Sequence, residues 1–192
     1  DNLTFYWDRI ELLYKAGFDV FVYDYRGFGR STGQSSEGGL RSDARAALTY
    51  VRSRADVDTT MIVHYGFSLG GFPAVYSATE LHTPHALITE AIFASGETLV
   101  QSGTLLNIPG SYVLEGTFDN LSPMRDRTCP VLLLHGTDDT FIDVERNGQR
   151  LFDVARAPKT FLRIQGAGHD NVPSAMGEQE YIDRITTFIR GN

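Results

Sequence analysis

Residues 61–71 read Met-Ile-Val-His-Tyr-Gly-Phe-Ser-Leu-Gly-Gly. The spacing and residue types predict a strand over Met61–Tyr65 and a helix over Gly70–Thr79, with Ser68 at the turn between them. A serine on such a turn holds its hydroxyl clear of the backbone, and the turn is so tight that small residues are needed two positions to either side. Gly66 and Gly70 meet that need, and Gly71 follows. The pattern Gly66-Phe67-Ser68-Leu69-Gly70 by itself occurs by chance in many proteins, and a serine here could simply cap a helix. Its seat between strand and helix is what makes Ser68 a candidate nucleophile.

On both sides of this turn, short apolar runs alternate with longer amphipathic ones. That is the signature of an α/β fold, doubly wound around a mostly parallel sheet. Phe5–Ala16 places Ile10, Leu13 and Tyr14 at helical spacing, and Gly17 stops it. Asp19–Tyr25 (DVFVYDY) is rich in β-formers and predicts a strand, followed by the glycine- and serine-rich loop RGFGRSTGQSSEGG. Leu40, Ala44, Ala47, Leu48 and Val51 line one face of a helix over Leu40–Arg52. Further strands are expected at Ala86–Thr89, Val131–Leu134 and Thr160–Ile164, and helices at Val144–Val154 and Gln179–Ile189. From about Ile92 to Thr128 the rhythm lapses, and an insertion of that length is expected to be a cap or a functional loop. Nothing else divides the chain, so a single domain over 1–192 is expected, with its cap at about 92–128.

Composition narrows the function. The chain has 192 residues, 42% hydrophobic and 21% charged, as in an ordinary globular domain. A formal charge of -7 argues against nucleic-acid binding, which needs a basic face. No apolar run approaches the roughly 18 residues of a membrane helix. A single cysteine, Cys129, excludes an intrachain disulfide and a cysteine metal cluster; beside Pro130 it is expected to be a buried filler. The sequence opens on Asp1, so the lack of a leader says nothing of compartment.

A serine hydroxyl becomes a useful nucleophile when a base takes its proton and a third group holds that base in one tautomer. Both groups follow Ser68 in order. The apolar strand 131–134 ends in His135-Gly136-Thr137-Asp138-Asp139, which puts two carboxylates at its C-terminal end, where parallel sheets place their sites. The next strand ends in Gly166-Ala167-Gly168-His169, whose glycines predict a mobile turn that could carry an imidazole to the serine.

The motifs GFSLGG (66–71), HGTDD..I (135–142) and GAGHDN (166–171) resemble the elbow, acid loop and histidine loop of α/β-hydrolases. They are most similar to a short-cap subgroup that includes bacterial esterase-like hydrolases and depalmitoylating serine hydrolases. Tyr23–Gly33 (YDYRGFGRSTG) resembles the segment after that family's fourth strand, and Phe118-Asp119-Asn120-Leu121 the segment before its acid strand. The resemblance spans nearly the whole chain and is weakest over Ile92–Gly116. It implies Ser68 as nucleophile, His169 as base and Asp139 as acid, with Asp138 a solvated neighbour and substitute acid. It also implies the Leu69 backbone N–H as one oxyanion donor. The second donor belongs to a His-Gly loop that would precede Asp1, so the first three of the usual eight strands are expected to be absent here.

The expected activity is hydrolysis of small-molecule carboxylic esters or thioesters through an acyl-enzyme, with no metal or organic cofactor. Aminopeptidase-like chemistry, acyl transfer and non-catalytic binding remain alternatives, because fold and triad do not fix the leaving group. Phe93, Leu99, Leu105, Leu106, Ile108, Tyr112 and Leu114 are expected either to line an acyl pocket or merely to pack the cap. Of the other ionisable residues, His64 is expected in the core, His135 in a structural hydrogen bond, His82 and His85 in an inert surface loop, and Asp24 and Arg26 bracing the loop they sit in.

Overall fold

The computed structural model describes residues 3–104 and 115–191. Among these residues the sheet has four parallel strands, β1 (Val63–Phe67), β2 (Ala86–Glu90), β3 (Val131–Gly136) and β4 (Lys159–Ile164), side by side in chain order. Each parallel connection needs a crossover, and helices supply them. The helices are α1 (Trp7–Lys15), α2 (Glu37–Ser53), α3 (Gly71–Tyr76), α4 (Gly96–Thr104), α5 (Leu121–Asp126), α6 (Arg150–Val154), α7 (Val172–Met176) and α8 (Glu178–Arg190).

Strands β2 and β3 are buried at every position, because both faces of the sheet are covered. Alternate residues point opposite ways. Leu87, Val131 and Leu133 pack with Ala74, Val75 and Ala78, Met124 of α5 and Leu151 of α6. Ile88, Leu132 and Leu134 pack on the other side with Leu12 of α1 and with Tyr181, Ile185 and Ile189 of α8. Each such fully buried side chain contributes about 1.5–3 kcal/mol relative to exposure. The arrangement is a doubly wound α/β fold. Among the described residues no helix is long and apolar enough to cross a membrane.

Local chemistry sets the ends of the elements. The Ser36 hydroxyl accepts from the Gly39 N–H and starts α2, whose Leu40, Ala44 and Leu48 face inward. Gly17, at φ +87°, ends the turn after α1 in a conformation that side chains disfavour. Beyond α3 the chain makes one π turn over Ser77–Leu81, and another precedes α6 at Glu145–Gln149, so both long predicted helices are composite.

Two expectations need correction. Asp19–Tyr25 is not a strand in this structure: among the described residues it joins no ladder, and Phe21 packs with Tyr23 and with Tyr50 of α2, and Tyr23 with Tyr25. β-propensity describes a fit to a pleated surface, and a strand also needs a neighbour to bond to. The irregular stretch Ile92–Thr128 contains helices α4 and α5. Its return to the body is held by Glu37, whose Oε2 accepts from the Thr117 and Phe118 N–H groups at 2.7 and 3.0 Å. The apolar clusters Leu105–Ile108 and Tyr112–Leu114 lie outside the described residues.

Candidate active site

The elbow forms because β1 ends at Phe67 and a single 3-10 turn, Ser68–Gly70, leads straight into α3. Ser68 takes φ +51°, a left-handed conformation that costs a non-glycine residue about 1–2 kcal/mol. The turn leaves no room at Gly66, where a Cβ would stand 2.5 Å from the Gly70 carbonyl oxygen and 2.7 Å from the Gly71 Cα.

The His169 turn follows β4. Contrary to the mobility its glycines suggest, it is tied down at several points. The Gly166 N–H donates to Thr137 Oγ1 at 2.9 Å, the Gly168 N–H to Asn171 Oδ1 at 2.7 Å, and the Asp138 N–H to the Ala167 carbonyl at 2.9 Å. Ala167 is fully buried, which anchors the turn between the strand ends.

These turns bring three sequence-predicted residues together. Ser68 Oγ lies 2.9 Å from His169 Nε2, and His169 Nδ1 lies 2.8 Å from Asp139 Oδ2. A carboxylate can only accept, so Nδ1 carries the proton and Nε2 presents its lone pair to the serine hydroxyl. The imidazole is nearly enclosed and is flanked by Phe67 and Phe141, with ring centroids 5.1 and 5.0 Å away. Asp139 is buried, and its Oδ1 accepts from the Phe141 and Ile142 N–H groups at 2.9 and 2.7 Å. Burial opposes its charge, but hydrogen bonds from His135, His169 and the Ile142 N–H outweigh that and hold its pKa well below the usual carboxylate range. Asp138 is exposed and accepts from the Thr137 hydroxyl.

The remaining candidates fall elsewhere. His135 is buried, and its Nε2–H donates to the Ile142 carbonyl at 2.7 Å while standing 3.3 Å from Asp139 Oδ2. His64 is half-buried in β1, and burial, then the nearby His82, lowers its pKa to about 4. His85, expected to be inert, ties the start of β2 to the end of α8 through its Nε2–H and the Ile189 carbonyl, 2.8 Å apart. Asp24 accepts from the Leu3 and Arg30 N–H groups, and Arg26 makes a forked pair with Asp43, so both brace their loop. Cys129 is buried, and burial raises its thiol pKa. Leu69 sits in the 3-10 turn directly after Ser68, and its side chain packs beside Leu40, Phe72, Phe93 and Ile142.

A cleft of about 270 Å³ opens over Ser68 and His169, lined also by Phe5, Tyr6, Phe67, Phe141 and Asp170. Phe93 and Leu99 do not line it; they pack in the cluster beside α2. Leu105, Leu106, Ile108, Tyr112 and Leu114 lie outside the described residues. Among the described residues no cluster of three or more histidine, cysteine or acidic side chains could hold a metal ion.

Sequence reasoning missed a buried polar group against Phe67 and Asp170, two residues that line the cleft. Arg9 of α1 donates to Glu90 Oε1 from Nε and Nη2, at 3.0 and 2.6 Å. The Tyr65 and Tyr181 hydroxyls donate to Glu90 Oε2 at 2.6 and 2.8 Å. Burial, then the Glu90 charge, keeps both phenols well above their ordinary pKa, so they remain donors. The available signal was a glutamate ending the short strand ALITE, largely made of apolar residues, since a carboxylate buried there must find a cation or several donors.

Residues 2–96 match the model of a family described as the alpha/beta hydrolase fold. The chain belongs to the α/β-hydrolase family. Uncharacterized protein YfhR is similar at 32% identity in Escherichia coli K12 and in Salmonella typhimurium, over 98% of this chain and 66% and 68% of those proteins. Alpha/beta hydrolase domain-containing protein 17B of Xenopus laevis is 32% identical over 89% of this chain and 56% of its own length. This α/β-hydrolase chain thus spans roughly two thirds or less of the curated relatives it matches. An esterase of Pyrococcus furiosus shares its fold, with a TM-score of 0.79 over 96% of this chain and 73% of that one, at 20% identity.

Proposed function

We propose that this α/β-hydrolase is a serine hydrolase that cleaves carboxylic esters or thioesters. The observation that carries the proposal is the continuous hydrogen-bonded path from Ser68 Oγ through both nitrogens of His169 to Asp139 Oδ2. In this mechanism His169 Nε2 takes the Ser68 proton as Oγ attacks the acyl carbon, and Asp139 stabilises the imidazolium that forms. The Leu69 N–H donates to the developing oxyanion. His169 returns the proton to the departing alcohol or thiol, leaving an acyl-serine. Water activated by the same imidazole then releases the acid. No step calls for a metal or an organic cofactor.

The aromatic walls of the cleft suit an apolar acyl group, and the esterase likeness of the fold is consistent with the same chemistry. On this reading residues 1–192 belong to one α/β-hydrolase domain, incomplete at its N-terminus, with a short cap or variable insertion at about 92–128. The test is labelling by a fluorophosphonate probe, alongside turnover of p-nitrophenyl esters and aminoacyl anilides. Wild type should label and turn over esters, and Ser68→Ala should do neither. Equal labelling of the two proteins would overturn the assignment, and faster anilide than ester turnover would move it to amides.

A further inference from the structure

We propose that Arg9 is a positioning residue for His169, holding the histidine turn with Glu90 as its fixed counter-ion. The inference rests on His169 being the base of the proposed triad. It starts from where the guanidinium's donors go. Nη2 donates both to Glu90 Oε1, at 2.6 Å, and to the carbonyl of Asp170, the residue after His169, at 2.9 Å. Nη1 donates to Asp8 on its own helix, at 3.1 Å to Oδ2. The guanidinium carbon lies 4.0 Å from the centre of the Phe67 ring, and that ring also packs on the His169 imidazole at 5.1 Å. Arg9 therefore reaches the imidazole by two routes: the backbone one residue beyond it and the ring beside it.

Stability alone does not call for this arrangement. Arg9 is 5% exposed and Glu90 is fully buried, and a pair of that kind could be replaced by apolar side chains at little cost. What an apolar replacement would lose is the direction of the bonds. Glu90 ends β2 and is paired in register with Phe67, the residue before Ser68. The two phenols hold its second oxygen. The arginine is thus fixed against the strand that abuts the elbow, and the second N–H of its Nη2 ties the turn that carries the base. Ser68 and His169 are referenced to one rigid point, which is how a 2.9 Å contact between two separate turns is kept short.

The experiment compares wild type, Arg9→Met and the double variant Arg9→Met/Glu90→Gln in thermal stability, in kcat and KM for a p-nitrophenyl ester, and in the low-field NMR resonance of the His169 Nδ1 proton. Arg9→Met strands a buried carboxylate and should lose stability. The double variant removes both charges and should regain most of it. Its kcat should nonetheless stay about 10²-fold below wild type with KM little changed, and the resonance should broaden or vanish. A double variant with wild-type kcat and an unchanged resonance would show that the pair only fills the core. If wild type neither turns over esters nor labels at Ser68, the hydrolase proposal fails. The resonance, which needs no turnover, then still decides whether Arg9 holds His169.

Discussion

Oδ2 of Asp139 lies 3.3 Å from Nε2 of His135, a histidine four residues earlier that takes no part in the path to Ser68. The same His135 nitrogen donates to the Ile142 carbonyl, and the Ile142 N–H donates to Asp139 Oδ1. Asp139 is thus held through Oδ1 by the Ile142 N–H, with His135 beside it, and only Oδ2 faces His169. Buried and already satisfied, the carboxylate cannot turn to follow a displaced imidazole. The position of His169 has to be set from its own side.

Asp139→Asn should lower kcat by on the order of 10⁴, by analogy with loss of the orienting acid in serine proteases. Asp138→Asn should leave it within a few fold, because that carboxylate is exposed and bonded to Thr137. Steady-state kinetics of the two variants checks this; reversed sensitivities would reassign the acid.

Two substitutions at Ser68 separate strain from chemistry. Ser68→Ala and Ser68→Gly should both be inactive. The glycine variant should be the more stable by about 1 kcal/mol, because alanine keeps the left-handed strain at φ +51° and glycine releases it. Chemical denaturation of the two inactive proteins reads the difference directly.

Gly136→Ala should cost about 1–3 kcal/mol and most of the activity. A Cβ at this last residue of β3 would run into the Ala167 carbonyl oxygen and stand 2.7 Å from that of Gly168, so the His169 turn must move. Unfolding midpoints and kcat should fall together; a variant with normal stability and turnover would mean that the turn yields freely.

His64 should make stability fall in mild acid. Burial and His82 depress its folded pKa to about 4, so its contribution is complete above the ordinary value near 6.5. It is lost as pH falls toward 4, because only the unfolded chain takes up the proton over that window. The loss should reach about 3 kcal/mol. His64→Gln should flatten the fall between pH 6.5 and 4 in denaturation curves, and an unchanged slope would place the titrating group elsewhere.

Residues 61–71 were enough to read a strand, a tight turn and a helix, because two small residues around a serine are a local demand of backbone geometry. The order of the carboxylates and of His169 at two later strand ends was legible for the same reason: strand ends and glycine turns are written in short runs. The choice between Asp138 and Asp139 came from family resemblance, and the separation of the exposed carboxylate from the buried one became visible only in three dimensions. Asp19–Tyr25 was misread as a strand because β-formers mark a suitable surface, whereas a strand also requires a hydrogen-bonding neighbour that no local pattern contains. Phe5, Tyr6 and Phe141 in the cleft, and Arg9 reaching Glu90 across 81 residues of chain, left no periodic trace. Such contacts depend on how α1, the turn before it and the loop after β3 pack together at the His169 turn. Packing decides that arrangement, and packing is a property of the whole chain at once.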